Sequence, residues 1–412
     1  MRIRLLLSVV ILATFGVSGV SRAAEPLTWT VSNPIWDGEI YPSFVISMAK
    51  LKVNKHKITD KSLEREMILY LNIDDPFVFI KFNRREPGST ATVTTSCDAI
   101  MTPGIERDHT LAPMAGSIRP QDESNRLIPH VAVPMSFKFD ALLANQQSKQ
   151  ENIDVLVSIN GQPATKKTLT VTVRSINDCP FALEKHDLRW MFTAYVNEEH
   201  PVLDNILKEA IDTNVVDHFV GYQPGHKDKA GVQQQTKDQV RAIWTALTLR
   251  GMKYSNIVAT PHAPGVIHSQ HVRFVDESLT SDQANCVDGS VLFASVLQKI
   301  GIESELVHVP GHMFIRFDLD AQHKDKACLE TTIIGFGSKP GMSRQQTLIS
   351  ASKSFDQAIN VGADEWKKEV VDDKGEFKPG AFVLSISEAR KRGITPIAHS
   401  EPVATTQPKP RK

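Results

Sequence analysis

The chain has 412 residues, and its Lys plus Arg and its Asp plus Glu balance at 47 each, so no net field draws it to nucleic acid or to anionic lipid. That length exceeds one typical domain and points to two, each with enough chain to bury a core.

The first residues read "MRIR", then an uncharged stretch runs from Leu5 to Val20. About 16 apolar residues fall short of the roughly 20 that span a bilayer. Small residues at Ser21 and Ala23 complete the layout of a secretory signal, residues 1–23, with cleavage expected near Ala23. The expected product is exported to a bacterial periplasm, with no membrane attachment once the signal is gone.

From 24 to about 185 the chain alternates short β-rich runs with turn residues: "FVISMAKLKV", "EMILYLNI", "FVFIKFN", "STATVTT", "MSFKFD", "IDVLVSI" and "TLTVTVRS". Period-two patterns such as Thr170-Val171-Thr172-Val173, with Asn160-Gly161 as a turn, predict a β-sandwich domain. No nucleophile, metal or phosphate motif occurs there. Cys97 and Cys179 fall in this half, and in an oxidising compartment they are expected to pair as a structural disulfide. Such a bridge closes a loop of ~80 residues, worth about 4 kcal/mol in the chain-entropy picture.

Past Cys179 the rhythm turns helical, so the whole is expected to be α+β, with a second domain from 186 to 400. Pro201 can open a helix with Val202, Ile206, Ala210 and Ile211 on one face, and Gly251 closes another that carries Val240, Ile243, Trp244 and Leu247. The stretch "ANCVDGSVLFASVLQKIGIESELVHVPGHMF" then begins a helix at Cys286 that is apolar nearly all round and stops at Gly301. A cysteine in a first helical turn meets unpaired N–H groups and the positive end of the dipole, which favour its thiolate. Position alone leaves open a cysteine that merely packs.

Downstream, "SELVHV" reads as a strand, "PG" as a turn, "HMFIRFDL" as a second strand and "ACLETTII" as a third. If the second and third form a hairpin centred near Ala321, His312 lies directly across from Glu330. A carboxylate there can hold the imidazole while its other nitrogen faces the thiol. Gln270 and Asn285 are candidates to polarise a substrate carbonyl together with the Cys286 N–H. Asp288 is expected to complement the helix N-terminus. Cys328 shares a strand face with Glu330, which raises a rival Cys286–Cys328 bridge. Histidines 268, 271, 308 and 312 lack the regularity of a zinc site, and no metal is expected. The residues from 401 to 412 read as a frayed tail.

Taken together, "NCVDGSVLFASVLQKIGI", "LVHVPGHMF" and "CLETT", with "QVRAIWTALTLRGMKYS" and "SQHVRF" upstream and "SISEARKRGITPI" later, resemble the transglutaminase-like superfamily over about residues 190 to 400. The resemblance implies a papain/transglutaminase-like core, in which a buried helix carrying the cysteine packs on an antiparallel sheet. It also implies Cys286 as nucleophile, His312 as general base and Glu330 at the place of the family's Asp. Two positions depart from the pattern: Glu330 is one methylene longer than Asp, and Met313 replaces an aromatic. The implied activity is thiol-dependent acyl transfer on amide or peptide bonds of a protein or peptide in the cell envelope, without a cofactor. Hydrolysis is expected over cross-linking because water is the default acceptor. The alternative is a non-catalytic binding or scaffolding protein with a degenerate site.

Overall fold

The computed structural model describes residues 26–49, 77–83, 88–102, 107–110, 130–133, 135–183, 186–223, 228–255 and 267–398. The segment 1–23 expected to be a signal, the "EMILYLNI" run and the expected frayed tail, 401–412, lie outside the described residues. Among the described residues the architecture is α+β, with several small sheets and no barrel.

In chain order the first half contains β1 (Trp29–Ser32), β2 (Glu39–Ile40), α1 (Pro42–Met48), β3 (Phe79–Phe82), β4 (Thr90–Ser96), β5 (Arg107–Thr110), β6 (His130–Ala132), α2 (Phe139–Leu143), β7 (Lys149–Ile159), β8 (Thr165–Val173), β9 (Asp178–Leu183) and β10 (His186–Asp187). The second half has a 3-10 turn (Arg189–Ala194), α3 (Val202–Ile211), α4 (Lys229–Arg250), β11 (Lys253–Tyr254), β12 (Ile267–His271), α5 (Val275–Ser281), β13 (Gln283–Ala284) and α6 (Cys286–Lys299). There follow β14 (Ser304–Val309), β15 (His312–Asp318), β16 (Lys326–Leu329), a second 3-10 turn (Thr331–Ile333), α7 (Arg344–Glu365), a π turn (Trp366–Val370), β17 (Phe382–Ser385) and α8 (Ile386–Arg392).

Alternation builds the first half. Ile153, Val155 and Val157 of β7 point inward while their neighbours stay wet, and β8 pairs with β7 antiparallel along most of its length. The turn joining them has Asn160 at φ 49 and Gly161 at φ 71, and the Gln162 N–H closes it onto Ile159 O at 2.9 Å. Two successive positive φ values match the right-handed twist of a hairpin, and Asn-Gly is the pair that adopts them most cheaply. The strands form a five-stranded sheet ordered β2-β8-β7-β4-β5 and a three-stranded sheet ordered β1-β3-β6.

Two of the expected β runs are not strands. "FVISMAKLKV" begins with helix α1, because Pro42 supplies a ready-made helical φ at its start and Phe44 and Ser47 bury at helical spacing. "MSFKFD" makes a single bridge, Phe137 to Met101, before turning into α2.

The change of rhythm is not a clean boundary. β9, on the first-half side of residue 185, pairs antiparallel with β12 of the second half. Asn177, just before β9, donates its amide to Val272 O at 3.0 Å and to Glu277 Oε2 at 2.7 Å, and its carbonyl accepts from the Val272 N–H at 2.8 Å. One hydrophobic cluster runs through both halves, from Trp36 and Phe82 to Trp244 and Phe293.

Helix α6 is the axis of the second half. Val291, Leu292, Phe293, Ala294, Val296 and Leu297 are all buried, as its all-round apolar sequence requires. It packs on a four-stranded antiparallel sheet ordered β16-β15-β14-β17. Met313, Ile315 and Phe317 of β15 join the main core, while Val307, Val309, Phe314 and Cys328 form a second, smaller cluster with Val370.

Candidate active site

The start of α6 is capped by two side chains that serve each other's backbone. Asn285 Oδ1 accepts from the N–H of Val287 at 2.8 Å and of Asp288 at 2.9 Å, and Asp288 Oδ2 accepts from the Asn285 N–H at 3.2 Å. This reciprocal cap satisfies donors that a helix start otherwise leaves bare. Asp288 is 1 % exposed and reaches further: its Oδ1 accepts from the Arg273 N–H at 2.9 Å, and the Arg273 guanidinium stands 3.2 Å from Oδ2. Burial pushes this carboxyl above its ordinary range, against the pull of those donors. The cap leaves the Cys286 N–H without an acceptor among the described residues.

Gly289, one turn into α6, explains how the helix start meets the sheet. A Cβ there would stand 2.9 Å from Thr331 Oγ1 and 3.1 Å from Thr331 Cβ. Only a glycine lets α6 close on the turn that follows Glu330.

His312 enters from the other side. Val309 and His312 close the β14–β15 hairpin through Pro310-Gly311, with Gly311 at φ 77 as a type II turn demands. His312 Nε2 lies 2.7 Å from Glu330 Oε2. The Cys286 thiol is its other hydrogen-bond partner. Glu330 is 3 % exposed, and its second oxygen accepts from the Thr332 N–H at 2.9 Å and from Thr332 Oγ1 at 2.5 Å.

The electrostatics follow from these contacts. Hydrogen bonds to Cys286 and Glu330 outweigh desolvation and raise His312 to about 10. Burial tends to raise the Glu330 carboxyl, but His312 and Thr332 overcome it and hold the group below its usual range. The arrangement favours an imidazolium bonded to a carboxylate on one side and to sulfur on the other.

The three residues meet by a route that differs from the expected register. Ile315 pairs with Leu329 and Arg316 with Cys328, so continuing the ladder puts His312 opposite Thr332 and Glu330 opposite Phe314. The strand also stops at Leu329, where the chain turns into the 3-10 segment, so "ACLETTII" is half strand and half turn. Glu330 therefore reaches His312 on the diagonal. Diagonal neighbours are roughly 7–8 Å apart at the backbone, a gap that a longer side chain bridges. The extra methylene that Glu330 has over an Asp suits this offset.

All four cysteines are free, and the expected Cys97–Cys179 disulfide is absent. Cys179 is buried in β9, opposite Gln270, and burial raises its thiol well above the ordinary range; Cys97 is buried just beyond β4, in the other sheet. The rival Cys286–Cys328 bridge is absent too. Cys328 faces the second cluster, where burial pushes its thiol to about 12.

The carbonyl-polarising candidates are placed differently. Asn285 has committed its side-chain oxygen to the helix cap, so only its amide nitrogen and the Cys286 N–H remain as donors there. Gln270 lies half-buried on β12, whose end is tied to the helix start through Arg273, and its amide makes no hydrogen bond among the described residues. The histidines diverge. His308 packs between Phe181 and Phe192, where burial and then Arg189 lower it to about 4. His271 Nδ1 stands 3.6 Å from Asp178 Oδ1, and His268 is exposed beside Phe181. Among the described residues no three His, Cys, Asp or Glu side chains gather at metal-binding distance.

Sequence reasoning passed over Arg273, which holds Asp288 and through it the cap, and Tyr254, which β11 pairs with Ala284 just ahead of the thiol. Arg273 follows "SQHV" with no spacing that marks it. Tyr254 had only its place after Gly251 to signal it.

Protein-family models and curated proteins were compared with the chain, and none matches.

Proposed function

We propose that this chain is an exported, thiol-dependent acyl-transfer enzyme of the transglutaminase-like type, with a β-sandwich ahead of a papain/transglutaminase-like core. The observation that carries this reading is one imidazole held at 2.7 Å by a buried carboxylate while it hydrogen-bonds the only cysteine of the four that is not buried. A thiol poised on a helix N-terminus and paired with an imidazole is a nucleophile with its base.

In the proposed cycle the Cys286 sulfur attacks an amide carbonyl, forming a carbon–sulfur bond. The electron pair displaced onto the carbonyl oxygen meets the Cys286 N–H, with the Asn285 or Gln270 amide as the second donor. His312 then gives its proton to the leaving nitrogen as the carbon–nitrogen bond breaks, which leaves a thioester. Water, deprotonated by His312, attacks the thioester and releases a carboxylate and the thiol. Glu330 holds the imidazole in place and offsets its positive charge throughout. Hydrolysis is favoured over cross-linking because water is always at hand as acceptor.

The proposed substrates are proteins or peptides of the cell envelope, and the proposed location is the periplasm. No helix among the described residues is long and apolar enough to cross a membrane. The decisive experiment incubates wild type and Cys286→Ala with an envelope peptide library and reads cleavage or deamidation by mass spectrometry. Products that form with wild type and vanish with the variant support the reading. Identical product profiles overturn it.

A further inference from the structure

Strands β11 and β13 are two residues each and run parallel, Lys253 opposite Gln283 and Tyr254 opposite Ala284. The Lys253 N–H donates to Asp282 O at 3.1 Å, and the Ser255 N–H donates to Ala284 O at 3.0 Å. In a pleated ladder, the residue between two such donors turns its own N–H and C=O to the opposite side. Tyr254 therefore presents a main-chain donor and acceptor away from β13. Neither has a partner among the described residues, and Tyr254 is 42 % exposed. An open strand edge of this kind is a template for another extended chain.

Its position gives the edge a use. β13 passes through Asn285 directly into Cys286, so both parallel strands lead toward the thiol. Tyr254 pairs with Ala284, two residues before Cys286, and Cys286 and Glu330 both act electrostatically on its phenol. The support beneath is backbone: Gly335, at φ 71, passes so close under Met252 O that no Cβ fits. The turn following Glu330 thus braces β11 and holds its edge at a fixed height over the site.

We propose that the outer edge of β11 at Tyr254 is a main-chain docking edge for an extended polypeptide. The amide processed by Cys286 then belongs to a residue within a protein or peptide strand, not to a free amino-acid amide or a glycan-linked amide. This rests on the thiol acyl-transfer reading above. An extended peptide offers an N–H and a C=O at the spacing a strand edge pairs with, as in strand-addition recognition. A sugar backbone offers no such ladder.

The test uses the full chain and three thiol-directed probes: iodoacetamide, a tetrapeptide whose central side chain carries a chloroacetamide, and that tetrapeptide with its backbone amides N-methylated one at a time. The readout is the second-order rate of Cys286 labelling. One methylation is expected to slow the peptide probe about tenfold, the loss of one backbone hydrogen bond at the upper end of its usual worth. Tyr254→Ala, which keeps the N–H and loses the ring, should preserve that ratio. Tyr254→Pro removes the outward N–H, which donates to a probe carbonyl, without touching the β13 ladder, and should slow the unmethylated peptide probe about tenfold relative to iodoacetamide. Should the proline variant not fold, hydrogen exchange in the wild type decides: the Tyr254 amide becomes protected in the peptide adduct and stays open in the iodoacetamide adduct. Equal rates for every methylated probe, an unchanged peptide-probe rate relative to iodoacetamide in Tyr254→Pro, or an open Tyr254 amide in the peptide adduct overturns the docking edge. A Cys286 that iodoacetamide labels no faster than in the urea-unfolded chain sinks the acyl-transfer reading instead, so the two failures are distinguishable.

Discussion

Replacing Glu330 by Gln keeps the shape of the carboxylate and removes its charge, so it measures what holds His312 protonated. A hydrogen bond between charged partners is worth roughly 1.5–3 kcal/mol and a neutral one about 1 kcal/mol. At about 1.4 kcal/mol per unit, the loss should lower the His312 midpoint by about one unit from its wild-type value. That value is about 10, and the site is sheltered, with Glu330 only 3 % exposed. The midpoint should stay above the ordinary imidazole range of ~6.5, because the Cys286 contact survives. The assay is a pH titration of the His312 imidazole C–H resonance by NMR in both proteins. Stability follows with a definite sign. The raised His312 contributes fully below ~6.5 and loses that contribution as pH climbs through its folded midpoint, whereas the lowered Glu330 contributes above its unfolded value of ~4.3 and fades as pH falls. Urea midpoints of the two proteins should therefore separate most between about pH 5 and pH 9 and converge toward both extremes. A His312 that titrates near ~6.5 in the wild type, or at the same pH in both proteins, refutes the reasoning.

Gly289→Ala drives a methyl group into Thr331; overpacking of this kind costs about 1–3 kcal/mol, only partly offset by about 1 kcal/mol of helix propensity. Urea unfolding should show the net loss, and alkylation of Cys286 should slow as the turn bearing Glu330 is displaced; wild-type values for both would show that the contact is slack. Asp288→Ala strands the Arg273 guanidinium and two backbone donors, and should cost about 3 kcal/mol in urea unfolding. A loss under about 1 kcal/mol would mean that solvent replaces the carboxylate freely. Cys328 and Cys179 are buried thiols raised by desolvation, so iodoacetamide near neutral pH should modify Cys286 and leave those two until the chain is unfolded. Peptide mapping without reductant checks this, and a peptide joined through Cys97 and Cys179 would contradict the free pair.

Much of the site was legible because its signals are local. The cysteine, its helix and the Gly301 stop lie in one uninterrupted run, and α6 begins and ends where that run says. The Pro310-Gly311 turn fixes where β15 starts, and so where His312 stands. The partner carboxylate was found but its register was not, because a two-residue slide of β16 is set by the turn after Leu329 and by α7, whose Ala358 carbonyl accepts from the Glu330 N–H at 3.1 Å. No alternation within "ACLETTII" encodes that contact. Helix α1 was missed because β-branched and aromatic residues dominate "FVISM", while the deciding residue, Pro42, sits ahead of the run. The Cys97–Cys179 pairing came from compartment and parity alone, and neither says which way a side chain points. Tyr254 and Arg273 owe their places to pairings across long stretches of sequence, which leave no periodicity to read.

The reach of Asn177 across to Val272 and Glu277 has a consequence for inheritance. A thiol-bearing segment cut loose at the change of rhythm would surrender that amide and the strand beside it, and the turn that steadies Arg273 would lose its anchor. Such a segment is no cassette to be shuffled onto other partners. Its leading portion and its reactive portion would have to descend, and be engineered, as one piece.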